Sequence, residues 1–275
     1  MKYYKSCKKE HNIAIECNTI RLGTFQDYRD LDSSFSIADN EEGFTNIEIQ
    51  AENLKISTKQ WNDIIGTSGA LMIGSSGKVT AGGNSKTDLV KEVHYNDGGG
   101  TYQFNEGHLT IDGTSSLKVT CPNLYMFCLS TKAIKPEEIF KEYNSQYYFT
   151  ESTISNLTNL LSELLISQFK VRYIENNFKG EISLDELYCT PRVQVIDYVN
   201  NKKIILKECN EFTTNFLEDT ILKGMFEKNE NKYSDDSEYR ILLPIYHEEY
   251  GIIPVKKDAL FLMLNDEIKK IVFES

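Results

Sequence analysis

Apolar and polar positions alternate in short runs along most of the chain, and only a few segments keep the three-to-four spacing of an amphipathic helix. The first thirty residues read strand, helix, strand. A short strand lies around Tyr3–Tyr4, a helix runs from about Lys8 to Glu16, and a second strand covers 19–25 (TIRLGTF). Residues 31–46 are polar and turn-rich and read as a loop. Alternation resumes at Ile47-x-Ile49 and Leu54-x-Ile56, and 58–65 has the length of one short helix.

The segment 66–120 differs, holding 11 of the 16 glycines. Short β-like runs (71–73, 89–95, 102–104, 109–111, 117–120) alternate there with turn signals such as NDGGG and NEGH, the pattern of an antiparallel meander. Beyond it, 124–130 (LYMFCLS) is an unbroken apolar run suited to a buried central strand. Pro136 followed by acids starts a helix over 136–143. Ser152–Gln168 places 154, 157, 160, 161, 164 and 165 on one apolar helical face, and 212–226 forms a second amphipathic helix. Strands are expected at 170–174, 193–198, 203–207, 239–246, 259–264 and 268–273.

No βαβ period persists, so the expected class is α+β, mainly antiparallel sheets with a few amphipathic helices. An N-terminal core part over 1–65 and a C-terminal core part over 121–275 flank a Gly-rich β-meander insertion over 66–120.

Composition narrows the setting. Forty per cent apolar and 26% charged residues describe an ordinary folded chain. No apolar run reaches the roughly 20 residues that cross a bilayer, and the basic N-terminus lacks a secretory apolar stretch. Six scattered cysteines, with no CxxC and no His at ligand spacing, argue against a metal site and for reduced thiols in a cytoplasmic protein. Cys7, beside Lys5, Lys8 and Lys9, is the thiol expected to have a lowered pKa. The net charge of −11, concentrated in 208–238 as a solvated acidic face, speaks against a broad nucleic-acid surface and leaves room for a local basic pocket. GSSGK at 74–78 is not a phosphate loop. Met72 stands where a glycine is required, and Val79 where a hydroxyl would hold magnesium.

Four stretches stand out in order. They are Tyr3-Tyr4-Lys5 with the later Ile20-Arg21-Leu22, Tyr28-Arg29-Asp30 continuing through Asp39 to Glu41-Glu42-Gly43, Phe127-Cys128-Leu129-Ser130, and Phe226-x-Lys228 with Tyr233 and Glu238-Tyr239-Arg240. This ordered set resembles the DUF2971-type bacterial family of unknown function, over roughly 1–45 and 120–245. The opening strand–helix–strand and the late carboxylate are also similar to ADP-ribosyltransferase-type folds, in which NAD lies in a cleft of a split antiparallel sheet.

That resemblance implies Glu238 and Glu42 as catalytic carboxylates, and Arg21, Tyr28, Arg29 and Arg240 as residues binding NAD. A carboxylate would stabilise the oxocarbenium ion that forms as nicotinamide leaves. The family's first-strand His or Arg is replaced by Tyr4-Lys5-Ser6, so Arg21 or Arg29 is the expected cation for the diphosphate. It further implies an NAD-using transferase or glycohydrolase, of the kind that serves as a toxin or phage-defence effector, and Glu238→Gln is then expected to stop NAD cleavage with little change in stability.

The residues also admit a non-catalytic reading, a phage or mobile-element factor acting by binding another protein. Glu238 and Arg240 share a strand face and suit cross-strand pairing. Tyr28-Arg29 suits a strand-end cap, and Asp39 to Glu42 a solvated loop.

Overall fold

The computed structural model describes residues 1–30, 41, 43–64, 71–73, 79–81, 92–97, 101–105, 107–139, 141–178, 180–199, 203–206, 213–230 and 237–275. Asp39, Glu42, Cys209, Tyr233, Asp236 and the GSSGK turn lie outside the described residues.

In chain order, β1 (Lys2–Cys7) and β2 (Thr19–Thr24) precede the short helix α1 (Phe25–Asp30). Next come β3 (Phe44–Ser57), α2 (Thr58–Ile64), β4 (Leu71–Ile73), β5 (Val79–Ala81), β6 (Glu92–Asp97), β7 (Thr101–Asn105) and β8 (His108–Thr120). β9 (Tyr125–Ser130), α3 (Pro136–Ile139), β10 (Ser145–Thr150) and α4 (Glu151–Gln168) follow. The chain continues with β11 (Leu187–Cys189), β12 (Arg192–Val195), β13 (Asp197–Val199), β14 (Lys203–Leu206), α5 (Thr214–Gly224) and β15 (Glu227–Asn229). It ends with β16 (Glu238–Leu243), β17 (Ile245–His247), β18 (Gly251–Ile252), β19 (Leu260–Met263), α6 (Asp266–Ile271) and β20 (Phe273–Glu274). The protein is α+β, and its sheets are mainly antiparallel.

Two compact units divide the chain: residues 1–42, 123–198 and 228–275 form the first, and 43–122 with 199–227 the second. This differs from the expected partition. Residues 43–65 belong with the Gly-rich segment because β3 pairs with β8 from Phe44↔Thr120 to Ser57↔His108. Residues 199–227 join them because β14 runs parallel to β3 over Lys203↔Asn46 to Leu206↔Ile49. The alternating apolar residues of β3 and β8 (Ile47, Ile49, Leu54, Ile56, Leu109, Ile111, Leu117, Val119) are buried together with Trp61.

In the first unit, β9 is central. The sheet runs β12-β16-β9-β1-β10-β20, and β2 also pairs with β9 and carries β19 on its far side. One face of β9 and β16 is apolar: Tyr125, Phe127 and Leu129 pair with Leu243, Ile241 and Tyr239 and join the core. Helix α4 supplies the matching stripe, Ile154, Leu157, Leu160, Leu161, Leu164 and Leu165, all buried. Each such burial contributes about 1.5–3 kcal/mol. Its first turn is fixed by the Thr150 N–H donating to Thr153 Oγ1 at 3.0 Å.

Local expectations differ from the structure at several points. Residues 8–16 form only a 3₁₀ turn at Lys9–His11 followed by turns, because Asn12, fully buried, bonds Ser145 Oγ and the Ala14 N–H instead of continuing a helix. Thr19–Phe25 ends as a strand at Thr24, whose Oγ1 accepts the Asp27 N–H at 3.1 Å and opens α1. The run 170–174 holds a 3₁₀ turn at Val171–Tyr173. Residues 266–271 are helical, capped by Asn265 Oδ1 on the Ile268 N–H at 3.1 Å.

Candidate functional site

β1 and β2 both lie on the side of β9 away from β16, but they meet it at opposite ends. Tyr4 pairs with Ser130, whereas Gly23 and Thr24 pair with Met126 and Tyr125. Between these contacts, β1 continues to β10 and β2 to β19, so the two arms diverge and the sheet is split. A cavity of about 420 Å³ occupies the split, lined by 4–8 of β1 and its end, 19–21 of β2, and 127–130 of β9. Ile134, Ile139 and Tyr143, from the segment joining β9 to β10, line it as well.

Glu238 enters through register. It pairs with Ser130, and Arg240 pairs with Cys128, so both stand on the face of β16 opposite the apolar core. Both are buried, Arg240 at 1% exposure and Glu238 at 7%. Glu238 Oε1 accepts from Arg240 Nε at 2.8 Å, and Oε2 lies 2.7 Å from Lys228 Nζ. Burial alone raises the carboxyl pKa, but Arg240 and Lys228 outweigh it and hold Glu238 well below the usual carboxylate range. The carboxylate is therefore ionised at neutral pH. The expected cross-strand pairing is not what holds it: the cations on Glu238 are Arg240, two residues along the same strand, and Lys228 of β15, whereas its cross-strand neighbour is Ser130.

Lys5 reaches into the gap, where its ammonium donates to the Cys128 carbonyl at 2.8 Å and lies 5.1 Å from the Phe127 ring centre. Burial lowers its pKa most, the Arg21 charge lowers it further, and Glu238 works in the opposite sense. Arg21, partly exposed, pairs with Asp27 at 2.5 Å.

Tyr28 is held over the strand because position 23 is glycine. A Cβ there would stand 2.7 Å from Tyr28 Cε2, inside van der Waals contact. Burial raises its phenol pKa well above the ordinary value, and the neighbouring Cys128 adds to the rise. Burial likewise pushes the Cys128 thiol up to about 12, Glu238 adding to the rise. Cys7 is also in the lining, and burial pushes it up to about 11 against the pull of Lys5. The expectation of a lowered Cys7 pKa is thus overturned: desolvation exceeds the attraction of the neighbouring lysine.

Of the expected site residues, Arg21, Tyr28 and Glu238 line the one cavity. Arg240 stands behind Glu238 and does not line it. Arg29, also outside the lining, bonds Gln26 Oε1 at 2.7 Å, and Glu42 lies outside the described residues. Lys5, Lys228, Cys128 and Tyr143 were not singled out as site residues, though Lys5, Lys228 and Cys128 sit in the ordered motifs. A usable signal was the Lys of Tyr3-Tyr4-Lys5 on an otherwise half-apolar strand.

The walls carry Lys5, Lys8, Arg21 and Lys228 against Glu238, a cationic interior in a chain of net charge −11. With the rings of Tyr4, Tyr28, Phe127 and Tyr143, it suits a ligand that is aromatic in one part and anionic in another. Among the described residues, no group of three or more His, Cys, Asp or Glu is placed to hold a metal ion, and no helix is long and apolar enough to cross a membrane. In comparisons with known proteins, the chain matches no family model, no curated protein and no solved structure.

Proposed function

We propose that the split-sheet cavity binds NAD and that the protein is an NAD-using transferase or glycohydrolase of ADP-ribosyltransferase-like type. One observation carries this reading: Arg21 and Tyr28, from one stretch near the N-terminus, and Glu238, from a distant part of the sequence, line a single cavity in the gap of an antiparallel sheet. The chemistry requires each of them. An arginine fork holds a diphosphate, and an aromatic ring packs on nicotinamide. A buried ionised carboxylate faces the ribose, where positive charge develops as the C1′–N bond breaks and its electron pair leaves with nicotinamide. Water or an acceptor heteroatom then bonds C1′ and gives up its proton. The test is nicotinamide release from NAD, with and without DNA, RNA and protein acceptors. Release that is lost in Glu238→Gln, under conditions where circular dichroism shows that variant folded, supports the reading; no release, and no NAD binding at millimolar ligand, removes it.

A second, non-catalytic reading has an observation of its own. Both oxygens of Glu238 are already engaged by cations, which blunts its attraction for a developing cation and favours holding an anionic ligand intact. Binding of NAD without nicotinamide release is the outcome expected of such a protein, which would act by binding rather than by turnover.

A further inference from the structure

We infer that Lys228 is the exchangeable partner of Glu238: a phosphate of the bound ligand takes over its ammonium and frees one carboxylate oxygen for a ligand hydroxyl. The inference rests on the reading of the cavity as a nucleotide site and adds to it an anion subsite and a mechanism of carboxylate release.

The asymmetry of the ion triad is the basis. Each Glu238 oxygen meets a different cation, Oε1 the Arg240 Nε at 2.8 Å and Oε2 the Lys228 Nζ at 2.7 Å. Arg240 is 1% exposed and does not line the cavity, whereas Lys228 does. A ligand in the cavity therefore meets Lys228 on the wall, while Arg240 is set back from it.

A phosphate oxygen offers an ammonium the same charge-assisted hydrogen bond that a carboxylate oxygen does, so the exchange conserves bond type. Arg240 alone then keeps Glu238 charged and oriented, and the freed Oε2 is an acceptor placed inside the cavity. Excess positive charge favours the exchange. Lys5 lines the same cavity and gives its hydrogen bond to a neutral carbonyl, at 2.8 Å from Cys128 O, rather than to a carboxylate. Lys8 and Arg21 line the cavity too, and pair with Glu142 and Asp27, neither of which lines it.

The experiment compares calorimetric binding of ADP and adenosine to the native chain, Lys228→Met and Lys228→Arg. The native chain should bind ADP more tightly than adenosine. Lys228→Met should lose roughly tenfold or more in ADP affinity while adenosine binding stays within about twofold, and Lys228→Arg should recover part of the loss. A merely structural lysine would move both ligands together. The inference is overturned if ADP affinity survives Lys228→Met, if both ligands weaken alike, or if the native chain binds ADP no better than adenosine. Should Lys228→Met not fold, inorganic pyrophosphate must displace ADP but not adenosine from the native chain; failure to compete overturns it equally. Nicotinamide release, measured in parallel, separates the two claims. ADP discrimination without release removes catalysis alone, and release unchanged in Lys228→Met removes this inference alone.

Discussion

The Glu238 carboxylate meets the Lys228 ammonium at 2.7 Å, with the two side chains only 9% and 5% exposed. Arg240 closes the triad from behind at 2.8 Å. This geometry reverses the sequence-based expectation that Glu238→Gln leaves stability nearly unchanged. The amide keeps the shape but withdraws the negative charge that Arg240 and Lys228 face, and breaking a buried ion pair in this way costs about 3–5 kcal/mol. Urea unfolding should show a loss of that order. Adding Lys228→Met to Glu238→Gln should cost less than the sum of the two single changes, since both act on the same ion pair. A midpoint unmoved by Glu238→Gln would mean that the triad is not buried in solution.

The same triad sets an acid limit. Burial raises the Glu238 pKa, and Arg240 and Lys228 lower it more, so the folded value lies below the unfolded one. A depressed carboxyl contributes stability that is fully present above its unfolded value, about 4.3, and that is lost as pH falls through the folded value. Denaturant midpoints measured downward from pH 7 should therefore hold to about pH 5 and then fall. In Glu238→Gln this component of the fall should be missing. Equal acid slopes in the two proteins would assign the sensitivity to other carboxylates.

Cys7, Cys17, Cys121, Cys128 and Cys189 are thiols in the structure. Burial pushes Cys7 and Cys189 up to about 11 and Cys128 up to about 12. Only about a thousandth or less of each is thiolate at pH 8, and the thiolate is the reactive form. With denaturant, six thiols should titrate. Without it, these three should react far more slowly than the unfolded chain's thiols. Fewer than six in denaturant would reveal a disulfide and place the protein in an oxidising compartment.

Much of the first unit was legible because its signals are local. The unbroken run ending in Phe127-Cys128-Leu129-Ser130 suits a buried strand, and the spacing from Ile154 to Leu165 marks a helix face; both elements form. What escaped was decided by single side chains. Thr24-x-x-Asp27 carries the pattern of a helix start, yet the apolar alternation before it concealed the switch from strand to helix. Asn12 ends a helix that composition alone allows. Of the site, Arg21, Tyr28 and Glu238 were readable as residue types in order. The split that joins them depends on β1 and β2 meeting β9 at opposite ends, a long-range register that no local pattern encodes. Nor did the acidic composition of 208–238 separate solvated acids from the buried Glu227 and Glu238.

The two-unit division changes the expected outcome of deleting the Gly-rich segment. Joining residue 65 to 121 removes β8, the partner of β3 along its whole length apart from the irregularity between Ala51 and Leu54. Ile47, Ile49, Leu54 and Ile56, now buried, would lose the strand that covers their neighbours. Such a chain should aggregate or bind a hydrophobic dye, a consequence of an unpaired apolar strand. Removing 43–122 as a block is less disruptive to pairing, because β3 and β8 leave together. Cooperative unfolding of the 65-to-121 chain would show that β8 is dispensable and restore the picture of an appended meander.

Gly23 tests the placement of Tyr28 without touching any charge. A methyl group at position 23 would lie 2.7 Å from Tyr28 Cε2, 3.2 Å from its Cζ and 3.1 Å from Asp27 Oδ2, so in Gly23→Ala the ring must move. Overpacking of this kind costs about 1–3 kcal/mol when neighbours cannot give. Here the moving ring is also part of the cavity wall. Gly23→Ala should therefore weaken NAD binding severalfold while far-ultraviolet circular dichroism stays native. In a Tyr28→Ala background the clash disappears, so the added cost of Gly23→Ala, in stability and in affinity, should shrink toward zero. Strict additivity of the two substitutions would show that the ring does not rest on Gly23, and that something other than this contact holds Tyr28 in the cavity wall.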